Sequence, residues 1–217
     1  MKRIVCSIII LLGCSILEGC TPPNVPLTDS FWQNSQQKMT VATVVPPTPG
    51  MYKKGPQGVV DMMISYAADE DFTNYISKTD LTWYGNFKAD FIKELQKRNM
   101  QASIYPDNIP IKQKDYSSIF AQTNSNNLLL IRLEALGAVR EYYGFIPLDA
   151  PKGYCVLSGE LINLQNNQVL WRDRVELSQP VSGKWDQPQH YPNFSDALNA
   201  VEYSAQQKLL DNFFIGH

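Results

Sequence analysis

Three strand signals in succession, all in the second half of the chain, constrain the fold more than any other feature. Residues 128–138 (LLLIRLEALGA) begin as an unbroken apolar run and then alternate, so that Leu129, Ile131, Leu133 and Ala135 share a face opposite Arg132 and Glu134. Residues 154–164 (YCVLSGELINL) read as a second strand. The polar stretch NLQNNQ at residues 163–168 turns the chain back into a third, residues 169–177 (VLWRDRVEL), with Val169, Trp171, Val175 and Leu177 on one side. The last two strands form a hairpin. A sheet built from them has an apolar face that must be covered.

The rest of the chain supplies the cover. Residues 56–68 carry Val59, Val60, Met63, Ile64 and Ala67 at helical spacing. Between residues 86 and 99, Phe87, Phe91, Ile92 and Leu95 line one face of a helix, and Leu198, Val201, Ala205, Leu209 and Phe213 do so between residues 195 and 214. Asp115 can cap a short helix that runs to residue 121. Two more strands are expected, MTVATVV at residues 39–45, stopped by Pro46 and Pro47, and QASIY at residues 101–105, stopped by Pro106. The order β-α-α-β-α-β-β-β-α predicts an α+β fold, an α/β sandwich with a mixed sheet of about five strands and helices packed mainly on one face. Asp69, Glu70 and Asp71 read as a solvated turn, since a calcium loop would need further oxygen ligands at fixed offsets.

The other informative stretch is the beginning, MKRIVCSIIILLGCSILEGCTPPNVP. Lys2 and Arg3 precede an apolar segment at residues 4–17, too short for a comfortable membrane span, which takes ~20 apolar residues. An export signal has this length, and the Pro-rich polar sequence after it contains no stop-transfer pattern. The Leu-Glu-Gly-Cys ending at Cys20 resembles a bacterial lipoprotein signal, in which the cysteine thiol receives a diacylglyceryl group and becomes the new N-terminus. Cys14, preceded by Leu-Leu-Gly, is the competitor; it would leave a very short signal. The chain therefore divides into a signal peptide at residues 1–19, a polar tether at residues 20–38 and a single domain at residues 39–217. Thr21, rather than Asp, after the acylated cysteine favours the outer membrane, with the domain facing the periplasm. With Cys20 acylated, Cys155 is the sole thiol of the mature chain and reads as a buried structural one.

Several short stretches resemble small outer-membrane lipoproteins related to the N-terminal domain of TolB. These are Val41-Ala42-Thr43-Val44-Val45-Pro46-Pro47, Asn127-Leu128-Leu129-Leu130-Ile131-Arg132-Leu133, and the pair Ser158-Gly159-Glu160-Leu161-Ile162-Asn163-Leu164 and Gln168-Val169-Leu170-Trp171. The curli-secretion lipoprotein and the activator lipoproteins of penicillin-binding proteins share that general fold. The resemblance runs loosely from residue 39 to residue 214, and this chain departs from it at residues 48–84 and at residues 140–152. It implies a membrane-anchored envelope protein that binds or assembles with other proteins.

The remaining chemistry is sparse. His190 and His217 are the two histidines, too few for a multi-histidine metal site, and no G-x-S-x-G, P-loop or G-x-G-x-x-G sequence occurs. A formal net charge of -2 and the lack of a sizeable basic block argue against nucleic acid. No cofactor, metal or catalytic residue is expected. Partners are expected to be the membrane, through the N-terminal lipid, and other envelope proteins or further copies of the chain. Residues 140–152 (REYYGFIPLDAPK) form an aromatic connection longer than a hairpin needs. Within it Arg140, Tyr142, Tyr143 and Phe145 have the composition of a protein-binding patch, or else patch the core. Trp185 and Tyr191, with Gln187, Pro188 and His190, make a second such loop. The alternative reading is a periplasm-facing hydrolase or small-ligand-binding lipoprotein.

Replacing Cys20 with Ala is expected to leave an unprocessed precursor and to abolish labelling with a radioactive fatty acid such as palmitate. Label that survives this change and disappears in Cys14→Ala would transfer the role to Cys14.

Overall fold

A computed structural model describes residues 22–33, 37–113, 115–183, 185 and 191–215. The elements in chain order begin with α1 (Asp29–Gln33), β1 (Lys38–Val44), β2 (Gly50–Lys54), α2 (Val59–Ala68), α3 (Glu70–Ile76) and α4 (Thr82–Lys97). They continue with β3 (Gln101–Ile109), α5 (Ser117–Thr123), β4 (Asn127–Tyr143), β5 (Ile146–Pro147), β6 (Lys152–Asn163), β7 (Val169–Pro180) and α6 (Pro192–Phe214). The strands form one open sheet of order β3-β1-β4-β6-β7, with β2 and β5 also paired to β4. β1 runs parallel to β3 and β4, whereas β4, β6 and β7 are successively antiparallel. The fold is the expected α+β arrangement with a mixed sheet, and the expected hairpin is β6–β7.

β1 and β2 lie end to end along the same side of β4. β1 pairs with its first part, up to Thr43 opposite Ile131, and β2 takes over at Gly50 opposite Gly137. The gap between them would strand backbone groups of β4. Tyr84 of α4 fills it: its hydroxyl lies 2.9 Å from the carbonyl oxygens of Val44 and Ile131 and accepts the Leu133 N–H at 3.2 Å. Burial pushes the Tyr84 phenol up to about 12. At Gly137 a side chain is impossible, because φ is +136° and a Cβ would stand 2.1 Å from the Gly50 carbonyl oxygen.

A register shift between Leu133 and Ala135 interrupts the alternation of β4. Such a bulge moves later side chains to the opposite face. Leu129, Ile131 and Leu133 face the main core, and beyond the bulge so do Leu136, Ala138 and Tyr142. Ala135, expected beside Leu133, belongs instead with Val139, Tyr154 and Val156 on the other face.

Helices α3, α4 and α6 cover the main face. Phe72 and Ile76, Phe87, Phe91 and Leu95, and Phe194, Leu198, Val201, Leu209 and Phe213 form one core with the sheet. Helix α5 covers part of the opposite face through Ile119, over Ala42, Val44, Leu128, Leu130 and Ile162. Trp171 is buried as the alternation of β7 requires, edge-on to Phe213 at 4.8 Å. Its ring rests on Gly159, where a Cβ would come within 2.5 Å. Cys155 is free and fully buried, and burial raises its thiol pKa.

Part of the expected tether lies on the domain. Val25 exchanges two backbone hydrogen bonds of 2.9 Å with Arg172, satisfying groups that the edge strand β7 would otherwise leave open. Asn24 Nδ2 and Asn212 Nδ2 both donate to the Asp173 carboxylate. In α1, Phe31 is buried and Trp32 packs edge-on to Phe213 at 5.6 Å. An aromatic pair with this much apolar area is driven onto the core, which the polar composition around it obscured. Cys14 and Cys20 lie outside the described residues.

One buried acid gives the fold a pH dependence. Glu202 of α6 is 7% exposed, and its Oε1 has no hydrogen-bond partner among the described residues. Burial, reinforced by the Asp80 carboxylate, pushes its carboxyl from 4.5 up to about 7. The folded state therefore holds this proton across a range where the unfolded chain has released it, so this group's contribution to stability falls as pH rises from 4.5 to about 7. The full effect is about 3 kcal/mol. Glu202→Gln is expected to remove this slope and to melt above the parent protein at pH 8, with the difference shrinking toward pH 5. Parallel melting curves across that range would show that Glu202 is not held neutral.

Candidate functional site

Helix α2 is where the surface departs from what its sequence leads one to expect. Its N-terminus is set by the Gly58 N–H donating to Asp61 Oδ2 at 2.9 Å, and its last turn is closed by the Asp69 N–H, bonded to the Ser65 and Tyr66 carbonyls at 3.2 Å. Between these ends Asp61 and Ser65 interrupt an otherwise apolar and aromatic sequence, and Ser65 is the only buried residue. Val60 and Met63 are each 68% exposed, and Val59, Met62, Ile64 and Tyr66 are also exposed. The helical spacing was legible; the expectation that the apolar stripe is covered does not hold. An all-round apolar helix is ordinarily buried.

The tip of the β4–β5 hairpin adjoins it. The Gly144 N–H donates to the Pro56 carbonyl at 3.0 Å, and Gln57 Nε2 donates to the Gly144 carbonyl at 2.8 Å. Tyr143, Phe145, Ile146 and Leu148 are exposed around this turn. Exposed apolar side chains thus occur both on α2 and at the adjoining hairpin tip, the kind of exposure that marks interaction sites.

The expected patch of Arg140, Tyr142, Tyr143 and Phe145 is thus divided. Tyr143 is 68% exposed and Phe145 points outward with it, whereas Tyr142 is 2% exposed and belongs to the core. Arg140 is half-buried at the edge. The connection read as a long loop is the end of a long strand and a tight hairpin, so alternation along β4 sends Tyr142 and Tyr143 to opposite faces. In the second aromatic loop, Tyr191 is buried in the core, whereas Trp185 meets Phe72 edge-on at 5.0 Å but is itself 38% exposed; Gln187, Pro188 and His190 lie outside the described residues.

Beneath the apolar surface lies an ionic cluster. Asp69, expected in a solvated turn, is buried between α2 and α3. Lys53 Nζ stands 2.8 Å from its Oδ2, Arg140 Nη1 stands 3.7 Å from its Oδ1, and the Tyr142 hydroxyl donates to Oδ2. The Lys53 ammonium also lies over the rings of Tyr66, at 4.3 Å, and Tyr142, at 5.0 Å. Burial and then the Asp69 carboxylate raise the Tyr142 phenol pKa. The cluster ties β2, β4 and the α2–α3 junction together, and no spacing pattern in the sequence announces it.

Two shallow hollows accompany these features. One, of about 310 Å³, is formed by Tyr66, Ala67, Glu70, Thr73 and Asn74 at the α2–α3 junction. The other, of about 230 Å³, lies where Asn24 to Leu27 meet β7 and the end of α6. Among the described residues no group of three or more His, Cys, Asp and Glu side chains could hold a metal ion. No helix among them is long and apolar enough to cross a membrane.

No protein-family model matches the chain, and no curated protein matches it. Solved structures do. A PelC dodecamer from Paraburkholderia phytofirmans is similar at 14% identity and a TM-score of 0.36, over 82% of this chain and 88% of that one. The lipoprotein GNA1162 from Neisseria meningitidis is similar at 10% identity and a TM-score of 0.35, over 81% and 99%. The LpoB C-terminal domain from Salmonella enterica is similar at 11% identity and a TM-score of 0.22, over 66% and 83%.

Removing Asp69 leaves Lys53, whose side chain is 4% exposed, buried without its counter-charge. Asp69→Ala is expected to cost ~3–5 kcal/mol, read as a lower denaturation midpoint. An unchanged midpoint would mean that Lys53 reaches solvent and that the cluster does not hold α2 in place.

Proposed function

We propose that this protein is a lipid-anchored lipoprotein of the bacterial envelope, held at the outer membrane through Cys20 and facing the periplasm, and that it acts by binding another envelope protein rather than by catalysis. The observation that carries this reading is the apolar surface of α2 and the β4–β5 hairpin. Exposed apolar surface of this kind marks places where a domain meets another molecule. Tyr143, Phe145 and Met63 are of residue types enriched at protein interfaces. The Leu-Glu-Gly-Cys signal supports the anchoring, and the lipoproteins among the similar structures accord with it.

The experiment pairs Val60→Ser/Met63→Ser in α2 with Tyr143→Ser/Phe145→Ser in the hairpin. Both pairs are exposed, so melting of the folded protein is expected to stay within about 1 kcal/mol of the parent, as for most surface changes. Proteins that co-purify with the membrane-solubilised parent, identified by mass spectrometry, are expected to be lost from both variants. Undiminished recovery from both, with folding preserved, would overturn the reading.

A further inference from the structure

We infer that the α2–α3 surface docks a helix of the partner protein, one whose apolar stripe is flanked by lysine or arginine. This rests on the binding reading above and adds the chemistry of the partner.

The charges around the surface decide its sign. Three of the basic groups near it are already engaged: Lys53 and Arg140 pair with Asp69, and Lys152 pairs with Asp149 at 2.6 Å; Lys78, just past α3, is exposed. Among the acids, Glu70 and Asp71 of α3 are exposed and form no ion pair among the described residues, and Asp61, which caps α2, forms none either. The rim of the apolar surface is therefore negative. Helices that lie on lipid carry lysine and arginine on their polar face, and anionic headgroups attract basic segments. An acidic rim repels such a membrane and attracts a basic protein surface.

The hollow at the α2–α3 junction makes the complementarity more specific. The Tyr66 ring and Ala67 form an apolar side, and Glu70 contributes a carboxylate. A lysine or arginine side chain suits both: its methylene stem lies along Tyr66 and Ala67, and its charge faces Glu70. The neighbouring apolar residues of α2 then take the stripe of the same helix, in the helix-in-groove manner of recognition.

The test uses the acylated chain in phosphatidylcholine nanodiscs, with empty nanodiscs as the blank, and two synthetic helical peptides. One carries a leucine stripe flanked by lysines; its twin has glutamates in place of the lysines. The lysine peptide is expected to bind more tightly by about tenfold or more, the size of effect a close charge pair supplies. Val60→Ser/Met63→Ser and Glu70→Lys/Asp71→Lys are each expected to erase the preference, while Asp211→Lys, an exposed acid on α6, keeps it. Equal binding of the two peptides, or a loss in Asp211→Lys as large as in Glu70→Lys/Asp71→Lys, would overturn the inference. So would two results without peptide: quenching of a dye on Met63→Cys by spin-labelled lipid, which assigns the surface to the membrane, or disulfide-linked Met63→Cys pairs, which assign it to a second copy. The buried Cys155 keeps the labelling selective. Peptides that fail to discriminate while the partner of the preceding experiment is still lost from the α2 variant would sink the helix chemistry and leave the binding reading intact.

Discussion

Everything in this fold is hung on one strand. β4 runs from Asn127 to Tyr143 and pairs with β1 and β2 on one side, with β6 on the other, and with β5 at its tip. A strand this long outruns any single neighbour, and β1 and β2 have to share its parallel side. The chain must break between them, and the break is mended by a side chain: the Tyr84 hydroxyl serves the backbone groups of Val44, Ile131 and Leu133. Buried backbone groups left unpaired cost free energy comparable to a lost hydrogen bond. Helix α4 is thus fixed to the sheet by more than its apolar stripe. What β2 adds, past the break, is the platform from which α2 departs.

The bulge in β4 then decides what faces the core. Without it the alternation set by Leu129, Ile131 and Leu133 would continue through Ala135 and send Tyr143 inward. With it, Leu136, Ala138 and Tyr142 turn inward, and Tyr143 is left outside with Phe145. The sequence alone shows the first part of this strand clearly, because an apolar run followed by alternation has few other solutions. It does not show the bulge, which exists only in the pairing of β4 with β6. It does not show that the strand continues through the aromatic segment either. A reading that ends the strand near residue 138 turns the rest into a loop, and in a loop nothing separates Tyr142 from Tyr143.

Helix α2 was half legible for a related reason. Periodicity reports that residues 59–68 are a helix, and it does so correctly. Burial is a property of neighbours, and α2 stands at the far end of the sheet where none of the other helices covers it. Its want of polar residues, with only Asp61 and Ser65 among aliphatic side chains, methionines and one tyrosine, was the readable sign that something else must cover it. Asp69 gave no such sign. A carboxylate amid Glu70 and Asp71 looks like a solvated turn until Lys53 and Arg140, distant in sequence, are brought to it by β2 and β4. Burying those charges is costly unless they pair. The position of α2 is therefore set by a few directional contacts rather than by packing, which leaves its apolar side free for another molecule.

The N-terminal segment bears on where that molecule is met. Val25 is fastened to Arg172 in antiparallel fashion, and Asn24 reaches Asp173. The register means that the chain before Val25 leads along β7 toward its C-terminal end, the end of the sheet that also carries the β4–β5 hairpin. If Cys20 bears the lipid, the stretch from Cys20 to Val25 reaches at most about 17 Å, at ~3.3–3.6 Å per residue. A tether that remained free through residue 38 would span several times that distance. Docking of residues 25–33 thus trades reach for orientation. With the lipid on Cys20 it would hold the domain near the membrane surface, and a partner for the α2 surface would then have to approach close to that surface.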